Sequence, residues 1–225
     1  MCARFTLILT PNGYALVYDF DTAFVTEVMV PRYNVAPTQN VAVVSDPETR
    51  RVQWMRWGLI PSWAKDPSIG NKMINARCET LAEKPSFRNA FQKRRCLILA
   101  DGFYEWQQIP NGRSVPYYFT LKDHSPFVFA GLWESWNSPT GQPLQTCTII
   151  TCPPNELVAP IHDRMPVILN RQAADNWIGQ TSSPQLQALL SAYPANQMQR
   201  VQVGPKVNNP AIESPDLIFP EQTLF

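Results

Sequence analysis

The sequence has no apolar run approaching the roughly 18 residues a membrane helix needs. Its N-terminal FTLIL is too short for a secretion signal and lacks the charged flank of one, so a cytoplasmic protein is expected. Histidine is scarce, with only His124 and His162, and the five cysteines (Cys2, Cys78, Cys96, Cys147, Cys152) form an odd set without C-x-x-C spacing. That combination argues against a zinc site and against a disulfide framework. No metal or other cofactor is therefore expected, and the thiols are read as free in a reducing compartment. Net charge is small too: a formal +1 excludes a globally basic nucleic-acid coat. Glycine numbers only 9 beside 22 prolines, a balance of fixed turns and edge-strand stops. Without internal repeats, low-complexity linkers or a composition break, the 225 residues are read as one domain, 1–225, with residues 206–225 as an extended tail laid on the body.

What is present is mostly strand. RFTLIL, VAVVS, RVQWMRWGLI, CLILADGFYEW, PYYFTL, FVFAGLWESW, QTCTIIT, MPVIL and QRVQV are rich in β-branched and aromatic residues. Asn111-Gly112 is a hairpin signal between GFYEW and PYYFTL, and SPTGQP punctuates the next connection. Helices are expected over Pro85–Arg95, over RQAADNWI after an Asn170 cap, and over PQLQALLSAY with Ser183 and Pro184 at its start. Without strict βαβ alternation, these elements read as α+β: a mixed, mostly antiparallel, curled or barrel-like sheet core with peripheral helices.

The chemistry starts at MCARF. Removal of Met1 would leave Cys2 with an α-amine and a thiol on neighbouring carbons. An α-amine titrates near pH 8, so an appreciable fraction is neutral and nucleophilic at physiological pH. Such an amine attacks an aldehyde to give an imine. The adjacent thiol can then close a five-membered thiazolidine at high effective concentration. The bland reading is a small residue that begins a strand.

Five further runs stand in order behind it: RYNVAP (32–37), RWGLIPSWAKD (56–66), INARCET (74–80), ADGFYEW (100–106) and IHDRMPVIL (161–169). With MCARF, and with KVNN near residue 209 as a closing motif, they closely resemble the SRAP family, the abasic-site processing proteins that shield damaged single-stranded DNA. The resemblance implies that Cys2 is the crosslinking nucleophile, with Asn75, Glu105 and His162 around it. His162 then supplies the proton that opens the sugar hemiacetal. Glu105, its pKa raised by partial burial, takes a proton from the amine, and Asn75 orients a sugar oxygen. It also implies Arg4, Arg77 and Arg164 as phosphate contacts, Thr151 as a further hydroxyl, and Asn34, Pro37 and Trp63 in the loops that flank the damaged nucleotide. Arg77 lies two residues beyond Asn75, so a strand would point both to one face. The same parity is expected of His162 and Arg164.

Each residue has a plainer alternative. His162 would be bonded within a turn, Glu105 would point outward from a strand whose neighbours Tyr104 and Trp106 face the other way, and Asn75 would satisfy backbone groups. The arginines would pair with carboxylates such as Glu79 and Asp163. The basic stretch Arg88, Lys93, Arg94, Arg95 would extend a positive groove or form a solvated helix face. The chain departs from the family at Ala3, where glycine is usual: a positive φ there would strain alanine.

The resemblance implies an abasic-site sensor in single-stranded DNA that forms a covalent link through Cys2. Self-removal of Met1 and weak lyase action accompany it, with DNA as partner and the protein a monomer. Two other functions stay open. A class II glutamine amidotransferase also uses an N-terminal cysteine, but it gives IHDRMP no role. A noncatalytic single-strand binder would be salt-sensitive and indifferent to lesions.

Overall fold

In the computed structural model, which describes residues 2–23, 30–110, 112–179 and 183–221, the strand-forming runs become strands. In chain order they are β1 (Arg4–Leu7), β2 (Arg32–Val35), β3 (Asn40–Val44), β4 (Val52–Trp57), β5 (Asn75–Arg77), β6 (Arg95–Ala100), β7 (Gly102–Gln108), β8 (Ser114–Leu121), β9 (Phe127–Asn137), β10 (Pro143–Cys152), β11 (Met165–Pro166), β12 (Ile168–Leu169) and β13 (Met198–Gln202). One sheet runs β13-β8-β7-β1-β2, antiparallel throughout. In the other, β10-β4-β3-β6-β9 closes on itself through a β9–β10 pairing, with β5 and β11 added to β10 and β12 to β9. Closure leaves those five strands without an exposed edge. β10 runs parallel to β4 and β5, so the barrel-like core is mixed but mostly antiparallel, as the α+β reading expects.

The two sheets meet on an aromatic layer. Phe5 of β1 packs edge-on against Trp57 (5.2 Å) and Phe129 (5.7 Å), while Phe103 stacks on Phe119 at 4.9 Å. All five rings are fully buried, and each contributes about 1.5–3 kcal/mol of hydrophobic stabilisation. β7 is buried on both faces, which explains why GFYEW is apolar almost throughout. Phe103 faces the barrel. Tyr104, on the opposite face, joins a second cluster with Tyr118, Val203, Val207 and Leu217, and this cluster seats the chain beyond β13.

Helices form at the edges. α3 (Arg171–Ile178) starts where expected, the Asn170 side chain accepting from Ala173 N–H, and α4 spans Ser183–Ala188. α1 (Pro11–Tyr18) occupies a stretch with no helical pattern; Tyr14 bonds Asp101 and Tyr18 bonds the Leu169 carbonyl, so tertiary contacts hold it. α2 is Arg88–Lys93, shorter than the expected Pro85–Arg95. Arg94 leaves the helix to pair with Glu134 (2.7 Å). Arg95 begins β6 and turns its guanidinium onto the carbonyls of Phe91, Gln92, Trp177 and Gly179. Arg94 and Arg95 are therefore structural, and only Arg88 and Lys93 of that stretch are exposed.

At the β7–β8 hairpin, Ile109 N–H bonds the Arg113 carbonyl around Gly112 (φ 74°), Asn111 itself lying outside the described residues. Gly58 is a true glycine position. Its φ is +126°, and a Cβ there would stand 2.6 Å from the Gly70 carbonyl oxygen, so both ends of the loop between β4 and β5 lie in backbone contact. That loop carries Trp63 and leads directly to Asn75.

Candidate active site

Cys2 is fully buried just before β1, its thiol directed at the Arg4 carbonyl (3.9 Å). Asn75, first residue of β5, donates Nδ2–H to the Cys2 carbonyl at 2.8 Å; its Oδ1 is buried and has no hydrogen-bond partner. The Trp57 indole N–H bonds the Ile74 carbonyl (2.8 Å) and fixes the entry to β5. Glu105 is 1% exposed on the barrel-facing side of β7, and His162 Nε2 lies 3.9 Å from its Oε2. Residues 2, 75, 105 and 162 thus converge from the start of β1, from β5, from β7 and from the loop between β10 and β11.

Burial governs the protonation of this cluster. It pushes the Cys2 thiol well above its ordinary value, with the nearby Glu105 carboxylate raising it further, so the thiol is held neutral. Burial also raises Glu105 to about 7. His162 moves the other way: desolvation lowers its pKa. Near neutrality Glu105 therefore carries the exchangeable proton and His162 is neutral. This reverses the division of labour that residue type alone suggests. His162 Nδ1 meets the Arg164 backbone N–H at 3.0 Å and the Arg164 carbonyl at 3.2 Å, which leaves Nε2 on the side of the ring that faces Glu105.

The residues expected to hold DNA divide into two groups. Arg77 is exposed at the end of β5, two residues from Asn75 on the same side of the strand, with the fully buried Ala76 between them. Trp63 is 60% exposed. Its turn is rigid, because Ala64 N–H bonds the Pro61 carbonyl and the Trp136 indole N–H holds the Ala64 carbonyl at 2.7 Å. A groove of about 340 Å³ beside the ring is lined by Lys65, Ser68 and Lys72; one of about 770 Å³ is lined by Pro85, Arg88, Asn89 and Gln92. Pro37 is half-buried in a turn pinned by Thr38 N–H on the Trp57 carbonyl.

The others are engaged inside the protein. Asn34 is fully buried, and its Nδ2 faces the carbonyls of Val207, Asn209 and Ile212, so this conformation gives it no surface for a strand. Arg4 NH1 bonds the Val207 carbonyl, and Trp106 Nε1 the Asn208 side chain. KVNN is thus the latch that fastens the chain end to the small sheet. Thr151 is fully buried in β10. Arg164 is 9% exposed and bidentate to Glu79 (2.5 and 3.0 Å), with NH2 also on the Thr151 carbonyl (2.6 Å), as the carboxylate-pairing alternative describes. His162 and Arg164 precede β11, so strand parity does not relate them. Ala3 is not among the residues with positive φ, so its methyl group brings no backbone strain. The resemblance named the four cleft residues, and the carboxylate-pairing alternative named Glu79 as an arginine partner; neither signals that the Glu79–Arg164 pair adjoins His162.

Fold and cleft together define an α+β protein whose cysteine just before the first strand sits beside an amide, a buried carboxylate and an imidazole. The chain belongs to the SOS response associated peptidase (SRAP) family, whose model matches residues 1–210. It is 48% identical to the abasic site processing protein YoqW of Bacillus subtilis (strain 168) over 97% of this chain and 99% of that protein. It is 34% identical to the abasic site processing protein HMCES of Gallus gallus, over 84% of this chain and 66% of that one. A crystal structure of a Bacteroides thetaiotaomicron protein superposes with a TM-score of 0.87 at 25% identity, covering 98% of this chain and all of that one.

Proposed function

We propose that this protein processes abasic sites in single-stranded DNA and bonds to the opened deoxyribose through Cys2 once Met1 has been removed. The observation that carries the reading is the Asn75 amide, whose Nδ2 fixes the Cys2 carbonyl while its buried Oδ1 is left without a partner. A buried, unsatisfied acceptor is costly unless a ligand completes it, and a sugar hydroxyl is a donor of the right kind. Family membership and the names of the relatives agree with this substrate.

The steps follow from the protonation states. Glu105, titrating near 7, protonates the ring oxygen of the hemiacetal as the C1′–O4′ bond breaks, and its carboxylate takes up the proton that the C1′ hydroxyl loses on becoming the aldehyde. The neutral α-amine attacks the aldehyde carbon, and loss of water leaves an imine. The Cys2 S–H then adds across the C=N bond: sulfur bonds to carbon, the proton passes by way of Glu105 to nitrogen, and a thiazolidine closes. Because the thiol is held neutral, the amine acts first and sulfur second. His162, with Nε2 facing Glu105, hydrogen-bonds to a developing oxygen or exchanges a proton with Glu105. Arg77 and the exposed Trp63 hold the flanking strand through phosphate and base stacking. The same cleft assists Met1 removal, and β-elimination from the imine gives a slow lyase side reaction.

The test is intact mass followed by adduct mapping. The purified chain should be lighter by one methionine. With an abasic single-stranded oligonucleotide it should give a denaturant-resistant adduct that maps to residue 2, and Cys2→Ala should abolish it. An unblocked Cys2 that gives no adduct, or an adduct undiminished when the terminal amine is capped, refutes the proposal.

A further inference from the structure

His162 sits in a stretch without regular secondary structure between β10 and β11, yet misplacing a reacting group by about 1 Å can cost about 100-fold in rate, so its ring needs a fixed aim at Glu105. On the imidazole's far side, Nδ1 meets the Arg164 N–H at 3.0 Å and the Arg164 carbonyl at 3.2 Å. Asp163 Oδ1 also lies 3.1 Å from Nδ1, but Asp163 is 85% exposed and its hold is weak. The ring is therefore indexed to the Arg164 backbone. That backbone is held in turn by its side chain, a buried guanidinium gripped by both oxygens of Glu79 and by the Thr151 carbonyl. Glu79 lies in the turn Cys78–Thr80, directly after β5 and four residues beyond Asn75. One ion pair thus joins the His162 loop to the segment that carries Asn75.

We propose that Glu79 is a positioning residue for the capture reaction: its bidentate grip on Arg164 fixes the turn that aims His162 at Glu105 and Cys2. The inference rests on the proposed function for its rate measurements, though not for its structural one. Arginine is required for the two parallel bonds, and Glu79 is ionised throughout the working range, its carboxyl held at about 2 by the Arg164 hydrogen bonds. Among the described residues the groups facing His162 are Glu105 from β7 and Asp163 and Arg164 from its own loop, and the amino-terminal charge lowers its pKa further; Glu79 acts on it through Arg164.

The experiment compares wild type with Glu79→Gln and Glu79→Ala. The first readout is the ring-proton NMR titration of His162 in the DNA-free protein, with His124 as internal control. The second is a single-turnover split: the maximal adduct rate at saturating abasic oligonucleotide, against the affinity for an intact strand. A freed His162 should titrate closer to its ordinary value in both variants. The maximal rate should fall about 10- to 100-fold in Glu79→Ala, in keeping with the cost of misplacing a reacting group, and by less in the isosteric Glu79→Gln, with intact-strand affinity unchanged. If Glu79→Ala does not fold, Glu79→Gln decides by the same readouts. An unchanged His162 titration together with an unchanged maximal rate overturns the proposal, as does a loss confined to strand affinity. If wild type forms no adduct at all, the proposed function fails, while the His162 titration still decides whether Glu79 positions the ring.

Discussion

The burial of Glu105 makes a quantitative prediction that needs no DNA. A carboxylic acid with an ordinary value of 4.5 titrates at about 7 in the folded protein because ionisation there is opposed by desolvation. A raised folded-state value means that the folded state binds the proton more tightly than the unfolded chain. The stability contributed by the protonated form is therefore complete below about pH 4.5 and lost as the pH rises through about 7. At about 1.36 kcal/mol per pKa unit, the whole effect is about 3 kcal/mol, of which about 2.5 kcal/mol falls between pH 5 and pH 8. Glu105→Gln keeps the shape and removes the titration, so it should cost little or nothing in relative stability at pH 8 and substantially more at pH 5. For a chain of this size the difference in Tm between variant and wild type should change by about 5–10 °C between the two pH values, in the sense that the variant gains on wild type as pH rises.

Differential scanning calorimetry of both proteins at pH 5, 6, 7 and 8 measures this directly. Titrating groups distant from Glu105 are common to the pair and cancel in the difference; His162, 3.9 Å away, is the neighbour whose titration the substitution also alters. If the Tm difference is flat with pH, Glu105 does not titrate near neutrality, and its assignment as the proton carrier in the cleft falls with it. A difference that moves in the opposite sense would mean that the folded state favours the carboxylate, as a tight ion pair would.

Three further outcomes follow from exposure and partners. Trp63→Ala, at a ring 60% exposed on a turn held by backbone contacts, should weaken intact single-strand binding by about 1–3 kcal/mol and leave Tm within a degree or two, as measured by fluorescence anisotropy and calorimetry. Arg77→Ala should lower binding of all sequences alike and reduce the slope of log K against log salt by about one, since Arg77 stands exposed at the strand end; an unchanged slope would take it out of the phosphate path. Asn34→Ala should destabilise the protein by about 1–3 kcal/mol by removing the amide that bonds the Val207, Asn209 and Ile212 carbonyls, of which Val207 keeps the Arg4 guanidinium and Asn209 the Ile212 N–H, and should expose residues after Gln202 to limited proteolysis.

Local grammar made part of the fold legible. The Asn170 cap, the proline and glycine breaks and the period of the long strands all state their element within a few residues. What escaped the sequence depends on partners far along the chain. α1 contains Gly13 and aromatic residues, with Tyr14 and Tyr18 held by groups 87 and 151 positions away. β2 and β5 are short and polar, and exist because β1 and β10 offer them a ladder. The Pro85–Arg95 helix ends early because Arg94 and Arg95 have better partners across the chain than helical solvent exposure provides. The resemblance implied Asn34, Arg4 and Arg164 as DNA contacts. Whether such a side chain meets a phosphate or a carbonyl is decided by the contacts of Val207 and Glu79, which the spacing of motifs does not encode.

The same distinction bears on mechanism. Residue type alone gives the proton to histidine, because imidazole is the side chain that ordinarily titrates near neutrality. In the cleft a single physical cause, removal from water, acts on the two groups with opposite sign: it disfavours the imidazolium and lowers His162, and it disfavours the carboxylate and raises Glu105 to about 7. The two groups therefore exchange the roles their ordinary values would assign. The exchange requires Glu105 on the barrel-facing side of β7, where strand alternation sets it beside Phe103, while Tyr104 on the opposite face is covered by the chain segment latched through Asn34 and Arg4. The latch lies outside the cleft. It covers the far face of β7, while the barrel side of the same strand buries Glu105 one residue along and raises its carboxyl to about 7.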